Sequence, residues 1–169
     1  TTGSGFKTYD GSPLTSTIWN MTSGSLLNGH NYTGTKTTGS QLDAGESDNT
    51  IEVVVYDKKG NNVTDKVYKI ITDYGTLQVV PRSATIKSGS AEKVYDGTPL
   101  QKRSWSFNRI NNNSTTGLLV GHRPNLTFTG SQTKVGSSPN TFSAKILDST
   151  NRDVTKNYDL TLTYGTLTV

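Results

Sequence analysis

An internal duplication constrains this chain more than any other feature. Lys7-Thr8-Tyr9-Asp10-Gly11-Ser12-Pro13-Leu14 recurs as Lys93-Val94-Tyr95-Asp96-Gly97-Thr98-Pro99-Leu100, an offset of 86 residues. At the same offset Trp19 falls on Trp105, and these are the only two tryptophans. Leu26-Leu27-Asn28-Gly29-His30 matches Leu118-Leu119-Val120-Gly121-His122 after the second copy gains residues around Asn111-Asn112-Asn113, so the only two histidines are equivalent. Thr38-Gly39-Ser40-Gln41 then matches Thr129-Gly130-Ser131-Gln132, and Val63-Thr64 matches Val154-Thr155. Last, Tyr74-Gly75-Thr76-Leu77-Gln78-Val79 matches Tyr164-Gly165-Thr166-Leu167-Thr168-Val169. Rare residues in step over this length define tandem repeats. The first spans 1–80, with its N-terminal strand expected to be truncated. The second spans 84–169, and a short linker, 81–83, carries Pro81.

Each copy is near the small end of self-sufficient domains, and only 30% of the chain is hydrophobic, so the cores must be thin. Thr, Ser and Asn make up about a third of the chain, a composition suited to strands and turns. Ile51, Val53 and Val55 alternate, as do Phe142, Ala144 and Ile146 at the matching place, which is the period of half-buried strands. Asp57-Lys58-Lys59-Gly60-Asn61 and Asp148-Ser149-Thr150-Asn151 follow as turns. No segment has helical periodicity over ten residues. These patterns predict an all-β chain of two tandem β-sandwich-like modules with six to eight short strands each, arranged end to end as an elongated rod. A β-grasp-like sheet with one short helix is the alternative.

Net charge is +4, yet the basic residues are scattered, with no run that could track phosphates, which argues against nucleic acid. With no cysteine, neither a disulfide framework nor a thiolate metal site can form. No stretch approaches the ~18 apolar residues of a membrane span, so direct membrane insertion is not expected.

In the second copy, Tyr95-Asp96-Gly97-Thr98-Pro99-Leu100, Gly121-His122, Asp153-Val154-Thr155-Lys156-Asn157-Tyr158 and Gly165-Thr166-Leu167-Thr168-Val169 occur in order. This pattern resembles the YDG/MBG-type repeats of large bacterial surface adhesins. The first copy departs in Ser12 and in a Val63–Tyr68 segment one residue longer than its counterpart. The resemblance covers nearly the whole chain. It implies a non-catalytic, extracellular stalk repeat on the bacterial cell surface, monomeric, with neighbouring repeats as partners and a cell-wall anchor elsewhere. It carries over no catalytic residue, cofactor or metal. A module binding a host glycan or protein is the alternative function.

The repeated residues are read first as structural. Asp10 and Asp96 are expected to accept backbone N–H groups within their own turns, with Gly11 and Gly97 supplying positive φ before Pro13 and Pro99. His30 and His122, after Gly29 and Gly121, are expected to stabilise turns; an Asp–His dyad with Asp10 or Asp96 is the competing reading. Asp43, Glu46 and Asp48 resemble a weak calcium loop, but Gly136-Ser137-Ser138 stands at that place in the second copy. Trp19 and Trp105 are expected in the cores rather than as sugar-stacking platforms. A Lys93–Asn157 isopeptide with Glu92 as acid is also weighed. Tyr9, Tyr74, Gly75, Leu77, Tyr95, Tyr164, Gly165 and Leu167 complete the repeated set.

Overall fold

A computed structural model of the chain describes residues 1–109 and 114–169. The Asn111-Asn112-Asn113 insertion lies outside the described residues. Strands hold 40% of the chain and helix 4%, so the protein is all-β. The chain divides into two compact units, Thr1–Val80 and Pro81–Val169. Of the expected linker 81–83, Arg82 and Ser83 are the opening residues of a strand.

In the first unit the strands are β1 (Gly5–Thr8), β2 (Lys36–Thr37), β3 (Gly45–Asp48), β4 (Ile51–Glu52) and β5 (Thr76–Val80). β5 is central, parallel to β1 from Gly5↔Leu77 to Thr8↔Val80 and antiparallel to β3. Its Leu77 and Val79 are fully buried, the period-two pattern of a strand with one face in the core. β2 pairs antiparallel with β4. Five strands is fewer than expected, because the pairings Thr2↔Trp19, Leu14↔Gln41 and Asn31↔Tyr56 are single bridges. The strand expected over Ile51, Val53 and Val55 stops at Glu52, where side-chain hydroxyls take over the backbone bonding. Val54 N–H donates to Thr35 Oγ1 (3.0 Å) and Val55 N–H to Thr64 Oγ1 (2.7 Å).

The second unit contains β6 (Arg82–Ser88), β7 (Ala91–Glu92), β8 (Trp105–Phe107), β9 (Arg123–Phe128), β10 (Ser137–Pro139), β11 (Phe142–Leu147), β12 (Tyr158–Thr163) and β13 (Thr166–Thr168). β6 lies between parallel β12 and antiparallel β8, and it buries Arg82, Ala84, Ile86 and Ser88 on one face. Burying a guanidinium requires partners for its donors. Arg82 Nε donates to Gly117 O (2.8 Å), and Nη2 donates to Thr116 O (3.0 Å) and to Ser114 O. β13 runs between parallel β7 and antiparallel β10, and β9 pairs antiparallel with β11.

Among the described residues each unit contains a single helical turn, α1 (Thr64–Val67) in the first and a 3₁₀ turn at Thr155–Asn157 in the second. Among the described residues no helix is long and apolar enough to cross a membrane. The buried apolar set is small, as the composition requires: Tyr9, Val55, Leu77 and Val79 before Pro81, and chiefly Ile86, Leu118, Phe142, Ile146, Val154, Tyr158 and Leu167 after it.

Candidate functional site

The Tyr-Asp-Gly segments are lysine-locked turns. Asp10 Oδ1 accepts from Ser12 N–H (2.9 Å) and Ser12 Oγ (2.7 Å), closing a turn across Gly11, whose φ of 81° costs little only in glycine. Lys7 Nζ donates to Asp10 Oδ1 (2.7 Å), Ser12 Oγ (2.9 Å) and Ser12 O. In the second unit Lys93 Nζ donates to Asp96 Oδ1 (2.6 Å), Thr98 Oγ1 (2.7 Å) and Thr98 O (2.6 Å), across Gly97 at φ 78°. Either Ser or Thr fits the position because only the hydroxyl is used. Hydrogen bonds from Lys93 and then Thr98 hold the Asp96 carboxyl far below the usual carboxylate range. At Asp10 burial opposes ionisation, but bonds from Lys7 and Ser12 outweigh it. Pro13 and Pro99 are exposed beyond these turns, and Leu14 and Leu100 then bridge Gln41 and Gln132.

Three donors are all an ammonium has, and the turn fills those of Lys93. The isopeptide arrangement with Asn157 and Glu92 is therefore not assembled: Asn157 closes the 3₁₀ turn, and Glu92 pairs in register with Thr168.

The histidines pair with tyrosines, not with Asp10 or Asp96. Tyr68 Oη lies 2.9 Å from His30 Nδ1 and accepts from Leu27 N–H at 2.9 Å. Tyr158 Oη lies 2.7 Å from His122 Nδ1 and accepts from Leu119 N–H at 3.3 Å. Which of the two atoms donates in each tyrosine–histidine bond follows the imidazole tautomer. The rings also meet edge to face, with centroids 5.8 Å apart in both units. Each histidine N–H closes a turn to the leucine three residues earlier, over Gly29 and Gly121 at φ 80° and 84°.

Burial pushes the His122 pKa below its ordinary value, with Asp148 opposing and Arg152 assisting. The unfolded chain therefore binds the proton more readily than the folded one. This contribution to stability is intact above about pH 6.5 and is lost as pH falls through that value towards the folded pKa. A second loss begins below about pH 4, where the unfolded chain takes up protons that folded Asp148, held ionised first by Thr150, and Asp96, held ionised first by Lys93, still exclude. Thermal melts across pH should show both steps, and His122→Gln should remove the upper one; an unchanged upper step would reject its assignment to His122.

A third repeated network centres on residues the sequence reading passed over. Asn140 is fully buried. Its Nδ2 donates to Gly89 O (2.9 Å) and Lys102 O (2.8 Å), its N–H to Gly165 O (2.7 Å), and its own carbonyl accepts from Ser88 Oγ (2.7 Å). Ser88 Oγ in turn accepts from Gly165 N–H (3.0 Å). Asn49 repeats this with Gly3 O (2.9 Å), Ser16 O (3.0 Å), Gly75 O (2.8 Å) and Thr2 Oγ1 (2.7 Å), and Gly75 N–H donates to Thr2 Oγ1 (2.9 Å). The repeated glycines make room for these knots. A Cβ on Gly165 would stand 2.5 Å from the Gly89 carbonyl carbon, and one on Gly75 would stand 2.5 Å from that of Gly3. The available signal was an Asn one residue before the matched Thr50 and Thr141 strands.

The tryptophans are not core residues, contrary to expectation. Trp105 is 40% exposed because it stands on the edge strand β8, paired with Ser88 at the sheet margin. Its ring lies 5.4 Å from that of Phe107 at 30°, and Arg109 caps Phe107 at 4.7 Å. Trp19 is half-buried and meets Tyr32 edge to face at 5.2 Å and 83°. Both line a cleft of about 280 Å³ in the first unit, walled also by Leu26, Val53 and Tyr68. Leu77 and Leu167 fill the core instead, fully buried on β5 and β13. Tyr74 and Tyr164 are about two-fifths exposed, and the matched Tyr9 and Tyr95 differ, at 2% and 58% exposure.

Asp43, Glu46 and Asp48 do not converge. Glu46 accepts from Gln78 Nε2 (2.5 Å), and Asp48 pairs in register with Thr76. Among the described residues no three acidic or histidine side chains gather to hold a metal ion. No family model, curated protein or solved structure matches the chain.

Proposed function

We propose that this chain is two tandem copies of one module and serves as a non-catalytic stalk repeat of a bacterial surface adhesin, its copies end to end, projecting an adhesive region from the cell. The observation that carries this reading is the recurrence of three complete bonding networks at matched positions: the lysine-locked turn, the leucine–tyrosine–histidine relay and the asparagine knot. These networks occupy the aspartates and histidines of the repeated set, Asp10, Asp96, His30 and His122, with bonds internal to their own unit. Side chains spent in this way stiffen a fold; they do not converge on a reacting group. Neighbouring repeats of the same chain are the partners this role requires.

Small-angle scattering of the intact chain tests the arrangement. One compact body of this length would have a radius of gyration of about 15–16 Å, and two modules end to end about 20 Å or more. The larger value is expected, and the smaller would reject the stalk. A second reading, a module binding host glycan or protein, is favoured by the surface position of Trp105 and by the aromatic cleft around Trp19.

A further inference from the structure

We infer that the Trp19–Tyr32 cleft of the first unit is a binding site for a neutral saccharide ring, an inference that rests on the second reading above. The cleft has an apolar floor, to which Ile51, Val53 and buried Val55 contribute. Trp19 and Tyr32 stand nearly perpendicular at one wall, and Tyr32 is 43% exposed, so two aromatic planes form an open corner. The third aromatic, Tyr68, is committed to His30 and Leu27 and serves as fixed wall.

The rim has a different character. Thr22, Ser23 and Ser25 line it with exposed hydroxyls on a turn through Gly24. Lys69 and Asp73 are the charged side chains that line it, one of each sign. The lining side chains therefore carry no net charge to attract a phosphate, sulfate or carboxylate ligand. A purely apolar side chain would fill the floor but strip water from the rim hydroxyls without replacing it. A sugar ring matches both parts, because its C–H face packs on an aromatic plane while its edge hydroxyls reach the rim. At about 280 Å³ the cleft lies just under the roughly 300 Å³ at which small-molecule sites begin, a size for one ring rather than a long chain.

Titration of the intact chain with the methyl glycosides of glucose, galactose, mannose and N-acetylglucosamine, followed by amide and indole N–H shifts, tests the assignment. At least one glycoside is expected to give a saturable shift at millimolar concentration, centred on the Trp19 indole and Tyr32, with the Trp105 indole unmoved. Tyr32→Ala and Trp19→Ala should each weaken it by about tenfold or more, a loss of roughly 1.4 kcal/mol. Should Trp19→Ala fail to fold, the more exposed Tyr32 still gives the answer. No saturable shift with any glycoside overturns the inference, as does an equal response at Trp105. In a parallel titration with N-acetylphenylalaninamide, a saturable shift there with none from the glycosides also overturns it and points to an apolar peptide side chain. Scattering does not read this cleft, so its outcome and that of the titration are separable.

Discussion

Replacing Asn140 with alanine is expected to destabilise the second unit by about 2–4 kcal/mol. The substitution deletes two donors at once and leaves Gly89 O and Lys102 O facing each other across a space without a proton. Each acceptor left unpaired in a partly buried setting costs roughly 1–3 kcal/mol, and the vacated volume adds to that. Among the described residues Asn140 Oδ1 has no hydrogen-bond partner, so the side chain acts through its amide protons. Asn140→Asp is therefore the sharper test. It preserves shape but sets a carboxylate oxygen against two carbonyls, and should cost at least as much as alanine. Urea unfolding followed by fluorescence reads the second unit through Trp105 once Trp19 is replaced by Phe. An Asn140→Asp protein with an unshifted midpoint would reject the knot as a stabilising element. Asn49→Ala should give the corresponding loss in the first unit, where the donors go to Gly3 O and Ser16 O.

Gly165→Ala is expected to be as damaging although it adds only a methyl group. The new Cβ would sit 2.5 Å from both the carbonyl carbon and the oxygen of Gly89, and 2.7 Å from Ser88 O. All three are backbone atoms, so no side chain can rotate away and β13 must shift. That shift breaks the bonds from Gly165 N–H to Ser88 Oγ and from Asn140 N–H to Gly165 O. A cost of about 3 kcal/mol follows from overpacking together with the lost bonds. For a unit of this size it should lower the melting temperature by roughly 12–24 °C. Gly97→Ala provides the contrast. Gly97 has nothing within 4 Å of its Cβ position and is constrained only by φ of 78°, so about 1 kcal/mol is expected. Equal losses at the two glycines would mean that close approach is not what Gly165 serves.

The period-two segments and the scarcity of helix formers were enough to set the all-β class, because it follows from local pattern. The Tyr-Asp-Gly turns were legible for the same reason: Asp10 and Asp96 bond the residue two places on, within reach of sequence reasoning. The lysine that locks each turn is only three residues before the aspartate. Asn140 could not be read in this way. Its partners lie 51 and 38 residues away, and an asparagine between a proline and a threonine reads as an ordinary turn residue until the fold folds two carbonyls over it.

The tryptophans mark the other boundary. Large aromatics in a chain poor in apolar residues were expected to fill the cores, yet Leu77, Val79, Ile86, Ile146 and Leu167 do so. Leu77, Val79, Ile86 and Leu167 lie on β5, β6 and β13, each flanked by a strand on both sides, while Trp105 stands on β8 at the edge of its sheet. Sequence by itself determined which residues recur and which local turns they close. Which residues become core, knot or cleft was decided by strand order, because burial depends on what the tertiary structure stacks against each face, and hydrogen bonds between distant carbonyls and amides exist only once those strands are side by side.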